Sequence, residues 1–537
     1  MSVVFAGEGV ARSVTILMLK RAELPNDVNA LRDLVLAMDQ RVEHLSHQVE
    51  MLTRRLYGPS SEKRHDAAGQ QMLFELPAAP TQPEALEVAA VVPKDETKPQ
   101  GHGRRKLPPH LHRERIEYHP PEVAQPCPCC QSAWQKIGEE VSEQIELVPA
   151  TVFVLQHARI KYACKCKDKV LIGAVPNKIW DRGLAGPGLL ADLIVKKLYY
   201  HLPFYRQEVM TEHLGWTLAR STQCQWLGAC AERLEPLYLL AKQIVMQSHV
   251  IHTDDTPVRV QAPGTGKTRE GRFWVYSGDP LHPHVVFDYT PNRKREGPRN
   301  FLKDYTGVLQ ADAYGGYDGI YANGKVTEAG CAAHARRKFD EAKTTSPREA
   351  DEMLTLIGEL YAIEKLAQPA IEAALAKPWA KLPAALEEAY TQRRELRQRL
   401  AVPVLAKIKA WLNAQKVEAL PKSPLGQAIH YMLAQWDALN RYVHDGAIAI
   451  DNNEAENALR PIALGRKNWL FLGNDEGGRR MAILYSLTET CKRHGIDPWL
   501  YLKDVLVRIE TQPPGTLAEL LPHNWKAARD KPAAAGP

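Results

Sequence analysis

Residues 450–473 read Ile-Asp-Asn-Asn-Glu-Ala-Glu-Asn-Ala-Leu-Arg-Pro-Ile-Ala-Leu-Gly-Arg-Lys-Asn-Trp-Leu-Phe-Leu-Gly. Asp451 followed by Glu454 has the spacing of a capping box, which predicts a helix start. Ala455, Ala458, Leu459 and Ile462 then form an apolar stripe at helical spacing. Asn452, Glu456 and Arg460 form a separate polar face. Pro461 and Gly465 predict a break, which puts Arg466 and Lys467 off the helix that carries Glu456. Taken alone, the segment also reads as a capped, solvated surface helix.

Two acidic positions upstream change that balance. Val250 to Val260 and Gly307 to Asp318 each begin as a short apolar run and reach an Asp, followed by turn residues. A carboxylate at a strand end faces a cleft, not a core. Two such aspartates and a helix-borne glutamate can hold two magnesium ions about 3.5–4 Å apart, the geometry of in-line phosphoryl transfer.

Four blocks carry a resemblance. They are H-T-D-D-T-P (252–257), L-Q-A-D-A-Y-G-G-Y-D (309–318), C-A-A-H-A-R-R-K-F (331–339) and D-N-N-E-A-E-N-A-L-R-P-I-A-L-G-R-K-N-W-L-F (451–471). The sequence resembles the insertion-sequence-66 family of bacterial DDE transposases over roughly residues 25–525. The resemblance implies that Asp254, Asp312 and Glu456 are a metal-binding catalytic triad for two Mg2+ or Mn2+ ions. Asp255 stands where the family more often has Glu, and Asp254 is chosen by its place before the Thr-Pro pair. The resemblance also implies DNA-phosphate contacts from His334, Arg336 and Arg337, where a helix start and cations suit phosphate. Arg460, Arg466 and Lys467 are further candidates for DNA contact.

Composition sets the frame. The 537 residues are 45% hydrophobic and 25% charged, enough for several domains, and the net charge of +6 permits nucleic-acid binding without demanding it. No apolar run approaches the roughly 18 residues of a membrane-spanning helix, so no membrane partner is expected. Nine cysteines, with Cys127, Cys130, Cys164 and Cys166 close together, favour a reduced cytoplasmic protein with a metal site over a disulfide scaffold.

The expected fold is multidomain α+β. Residues 25–64 carry Val28, Leu31, Val35, Met38, Val42, Leu45, Val49, Leu52 and Leu56 in unbroken heptads, with Val favoured at a and Leu at d. That pattern predicts a parallel coiled coil, hence a homodimer or higher homo-oligomer. Residues 65–103, rich in Ala, Pro and Glu, read as a flexible linker. Residues 104–170 read as a zinc module whose two cysteine pairs bracket strand-like segments at 144–148 and 151–160, with Cys129 a spare sulfur. Four thiolates leave no open position, so the Zn2+ is structural. Residues 171–245 read as helical, with a helix-turn-helix: a helix from Leu202 to Leu214, a turn at Gly215, and a Ser/Thr-capped helix opened by Arg220 and Ser221, both candidate DNA contacts. Any αα-hairpin would look similar. Cys224 and Cys230 read as core.

Residues 246–480 read as an RNase H-like catalytic domain, with strands at 249–260, 272–278, 284–289, 306–311 and 326–330 and a helix at 297–305. An all-helical insertion is expected over about 346–447, and a C-terminal helical region over 481–525. The implied activity is DNA transposition: binding of terminal inverted repeats, then metal-dependent strand cleavage and transfer into target DNA. The implied setting is the bacterial nucleoid, with small accessory proteins of the same element as further partners. The rival expectation is a non-catalytic DNA-binding regulator with a degenerate catalytic domain.

Overall fold

The computed structural model describes residues 184–530 except Asn323, together with Asp27, 152–158, 160–163 and 170–172. The expected coiled coil (apart from Asp27), the linker, the 144–148 strand and all four expected zinc ligands lie outside the described residues. The chain divides into two compact units, Ser61–Leu155 and the remainder. Of the first, only residues 152–155 are described; they are exposed and irregular.

Strands β1 (Lys161–Ala163) and β2 (Val170–Ile172) pair antiparallel, Lys161 opposite Ile172. The strand expected at 151–160 is not formed over its described residues. Its Val152, Phe153, Val154 and Leu155 are exposed and pair with no strand among the described residues, and β propensity alone does not make a strand.

Helices α1 (Pro187–Leu198), α2 (Phe204–His213) and α3 (Arg220–Val245) follow. Gly215, at φ +77°, makes the turn after α2 that the sequence predicts. The expected Ser/Thr cap is absent: Ala219 is the N-cap, and Ser221 and Thr222 lie inside the helix. At 26 residues α3 is a core helix, burying Leu227, Cys230, Leu234, Leu237 and Ala241. Cys224, expected in the core, is exposed.

The central sheet has strands β3 (Val250–Ala262), β4 (Lys267–Ser277), β5 (Val285–Thr290), β6 (Gly307–Gln310) and β7 (Val326–Ala329). Their order is β5-β4-β3-β6-β7; β3, β4 and β5 are antiparallel, whereas β6 and β7 run parallel to β3. Helix α4 (Glu296–Phe301) joins β5 to β6, and α5 (Asp318–Tyr321) joins β6 to β7. The parallel pairing sets His252 opposite Gln310. Asp254 and Asp312 each lie two residues further on, so the register delivers both to the same end of the sheet.

After α6 (Ala332–Ala342) come the insertion helices α7 (Pro347–Leu375), α8 (Leu382–Glu418), α9 (Pro424–Ala434) and α10 (Trp436–Asn440). Their apolar faces form one core with α6, and Val250, Val308 and Ala329 of the sheet join it. The insertion is therefore built onto the start of the strands that carry the acidic residues. Its last turn approaches α8 closely: a Cβ on Gly446 would stand 1.9 Å from the Tyr390 carbonyl oxygen. Gly446→Ala should cost about 1–3 kcal/mol by forcing that backbone apart, read as a lower urea midpoint.

Helix α11 (Asn453–Trp469) corrects two expectations about the opening segment. It runs unbroken through Pro461 and Gly465, so Glu456, Arg460, Arg466 and Lys467 share one helix. Pro461 forgoes a hydrogen bond to the Asn457 carbonyl, a cost of about 3 kcal/mol in an unsupported helix. Burial of Pro461, Ile462 and Trp469 offsets it. Gly465 is a packing residue: a Cβ there would meet Trp469 Nε1 at 2.7 Å. Nor is there a capping box. Asn452 is the N-cap, Asp451 accepts from the Asn453 amide (3.2 Å), and Glu454 turns to Ser277 Oγ (2.6 Å) and Arg493 (3.0 Å).

Helices α12 (Asp475–Arg493), α13 (Pro498–Arg508) and α14 (Pro522–Arg529) close the chain. The expected boundary at 480/481 falls inside α12. That helix packs on the outer strand, where Ser486 and Thr490 accept the amides of Phe287 (2.8 Å) and Val285 (3.0 Å).

Candidate active site

Strand alternation sends Asp254 and Asp255 to opposite faces of β3. Asp255 is spoken for. Its carboxylate is only 1% exposed and takes Arg272 Nη1 at 2.8 Å and Arg293 at 3.0 Å (Nε) and 2.8 Å (Nη2). Asp254 has no such cation. Burial, together with the neighbouring charges of Asp312, Asp255 and Glu456, pushes its carboxyl up to about 7, against the lowering effect of the Asp255 amide it accepts at 2.7 Å. Burial also raises Asp312, with Asp255 adding to the rise and His334 and Arg293 opposing it. The structure thus brings Asp254, Asp312 and Glu456 into one electrostatic cluster, from β3, the end of β6 and the first turn of α11.

Two neighbouring variants should separate the roles. Asp254→Asn should raise the melting temperature of metal-free protein at neutral pH, because it relieves carboxylate crowding. Asp255→Asn should lower it, because it strips a buried partner from two arginines.

Glu456 is held loosely. Its Oε1 lies 3.7 Å from His334 Nδ1 and its Oε2 3.7 Å from Arg337 Nη2. Glu456 Oε1 and His334 Nδ1 are both buried without a hydrogen-bond partner. An orphaned carboxylate oxygen beside two crowded aspartates is what a divalent cation would satisfy, so the carboxylates present fit the metal that the sequence implies.

The remaining expected contacts divide. His334 and Arg337 border Glu456, and Arg336 is exposed on the same helix. Arg460 and Lys467 are exposed on α11. Arg466 is turned inward, donating from Nη1 to Thr256 Oγ1 (2.9 Å) and to the Pro257 carbonyl, so it ties α11 to β3. Arg220 pairs with Glu208 on α2 (3.0 Å), Ser221 is exposed beside it, and neither contacts the acidic cluster among the described residues.

Sequence reasoning missed Asn452. It is fully buried; its Nδ2 donates to the Thr253 carbonyl (2.8 Å), its Oδ1 faces His252 Nδ1 (3.1 Å), and its amide donates to Cys331 Sγ (3.2 Å). One side chain thus fixes α11 to β3 beside Asp254, while its amide reaches the N-cap of α6. The sequence put Asn452 on the polar helix face of Glu456 and Arg460, whereas it is the buried N-cap.

The mixed sheet thus brings three carboxylates together beside exposed basic residues. Comparison with known proteins supplies the class: the model described as "Transposase IS66 family" matches residues 182–480. The chain belongs to the IS66 transposase family. Three further models cover the flanks. They are "zinc-finger binding domain of transposase IS66" (125–167, which contains all four expected zinc ligands), "Transposase C of IS166 homeodomain" (44–116) and "IS66 C-terminal element" (486–523). Among similar proteins, the uncharacterized protein y4jD of Sinorhizobium fredii is 32% identical over 534 residues, covering 95% of this chain and 99% of that one. The uncharacterized protein y4hP of the same organism is 31% identical over 513 residues, covering 90% and 89% respectively. No helix among the described residues is long and apolar enough to cross a membrane.

Proposed function

We propose that this protein is the DNA transposase of a bacterial insertion sequence, and that Asp254, Asp312 and Glu456 are its catalytic carboxylates. The observation that carries the reading is their convergence from β3, β6 and α11, with Asp254 held near 7 by burial and by its acidic neighbours. The sheet order, three antiparallel strands followed by two parallel to the first, supports an RNase H-like catalytic domain. When bound, two Mg2+ or Mn2+ ions supply an activated water or 3′-hydroxyl and neutralise charge at the leaving oxygen. Asp254 and Asp312 hold them from the rigid sheet, and Glu456 completes the set from α11. His334 and Arg337 take the phosphate beside Glu456, while Arg336, Arg460 and Lys467 follow the DNA backbone, as cations do along a duplex. Arg220 and Ser221 serve end recognition from α3.

Cys127, Cys130, Cys164 and Cys166 offer a four-sulfur donor set suited to structural zinc. The coiled coil over 25–64 pairs protomers so that two inverted-repeat ends meet in one nucleoid-associated, cytoplasmic complex. Small accessory proteins of the same element are its further partners.

Iron-directed backbone cleavage tests the metal ligands. With Fe2+, ascorbate and peroxide, the chain should be cut near residues 254, 312 and 456, and excess Mg2+ should suppress the cuts. Asp312→Asn should weaken all three. Cuts confined to other segments would contradict the assignment.

A further inference from the structure

The three carboxylates are not the tightest group of metal-ligating side chains among the described residues. That group is Cys331, His334 and Glu456, whose ligand atoms all lie within 4.8 Å of one another. We propose that these three residues form a second, thiophilic metal site that takes zinc and withholds Glu456 from the magnesium centre.

Four observations carry it. Cys331 is the N-cap of α6 and is 1% exposed, so its sulfur is fixed in place rather than free to rotate into solvent. His334 stands one turn on, which sets its ring on the same side as the sulfur. Its Nδ1 and Glu456 Oε1 are buried without hydrogen-bond partners and lie 3.7 Å apart. The other Glu456 oxygen already faces Arg337, leaving Oε1 as the atom in need of a cation.

The donor chemistry selects the ion. A thiolate, an imidazole and one carboxylate suit zinc, whereas magnesium prefers an all-oxygen shell. Binding releases the Cys331 thiol proton to solvent. Three protein ligands leave a fourth position for water. Magnesium and zinc then compete for one carboxylate, so zinc should inhibit. The inhibition, but not the zinc binding, rests on the catalytic reading given above.

The test is zinc stoichiometry in the full-length protein, measured by metal analysis after dialysis against micromolar Zn2+. Wild type should hold one more zinc per chain than Cys331→Ala or His334→Gln, with the zinc-finger equivalent unchanged in all three. Co2+ in place of zinc should give a stronger sulfur-to-cobalt charge-transfer band in wild type than in Cys331→Ala, which keeps only the zinc-finger contribution. In the cleavage assay, the zinc concentration that halves the rate should rise at least ~tenfold in Cys331→Ala, as loss of a metal ligand requires. Equal stoichiometry in wild type and both folded variants, judged by circular dichroism, would overturn the site. A wild type that binds the extra zinc but, freed of that zinc and supplied with Mg2+, still cuts no DNA would leave the site standing and remove the catalytic reading instead.

Discussion

Glu456→Gln should lower metal-dependent strand cleavage by about three orders of magnitude while leaving fold and DNA binding intact. A metal ion contributes several kcal/mol of charge stabilisation to phosphoryl transfer. Losing about 4 kcal/mol corresponds to roughly 10³ in rate. The substitution keeps the volume of the side chain and removes only its charge. Glu456 bears little structural burden: its two oxygens stand 3.7 Å from His334 Nδ1 and Arg337 Nη2, and Oε1 has no hydrogen bond at all. Glu454, two residues earlier, is the contrasting control. It bonds Ser277 Oγ and pairs with Arg493, which hold its charge in place; burial opposes this, yet its carboxyl remains below the usual range. Glu454→Gln should therefore cost stability more than turnover. Initial rates of cutting, with urea midpoints of the same preparations, separate the two.

The second large effect lies in the insertion. Arg397 of α8 is 0% exposed and donates from Nε and Nη2 to Glu364 of α7 at 2.7 and 2.8 Å. Its Nη1 donates to the carbonyls of Tyr442 (2.6 Å) and Asp445 (3.0 Å). Glu364→Ala would leave a buried guanidinium without its counter-charge, a loss of about 3–5 kcal/mol. Arg393, the other partner of Glu364 at 2.6 Å, would be left unpaired as well. The damage should reach the acidic cluster. Asp445 also holds His249 at 2.6 Å, one residue before β3, and the chain from 445 leads into α11. Replacing both partners, Glu364→Leu with Arg397→Met, should recover part of the stability, because only the partly buried Arg393 then lacks its counter-charge. Urea unfolding of the single and double variants measures this.

Much of this was legible in the sequence for physical reasons. The strands over 249–260 and 306–311 announce themselves by short apolar runs and turn residues. The all-helical insertion was legible from composition. The unbroken α11 was not, because Pro461 and Gly465 are helix breakers by propensity. Only tertiary burial, with Trp469 packed where a Gly465 side chain would stand, reverses that preference. The inward turn of Arg466 was hidden for a related reason: its partners, Thr256 and the Pro257 carbonyl, lie more than two hundred residues away. Asn452 and Glu364 were invisible because a buried hydrogen-bond network has no local period. The choice between Asp254 and Asp255 rested on alignment to the Thr-Pro pair, because nothing local in the sequence announces the two arginines that Asp255 takes.

The most direct test is cleavage of an end-labelled inverted-repeat duplex by the purified protein, with Mg2+ and then with EDTA, alongside Asp312→Asn. The account predicts metal-dependent cutting that leaves 3′-hydroxyl ends, disappears with EDTA and disappears in the variant while binding persists. Cutting that survives EDTA, or that survives in Asp312→Asn, would contradict it.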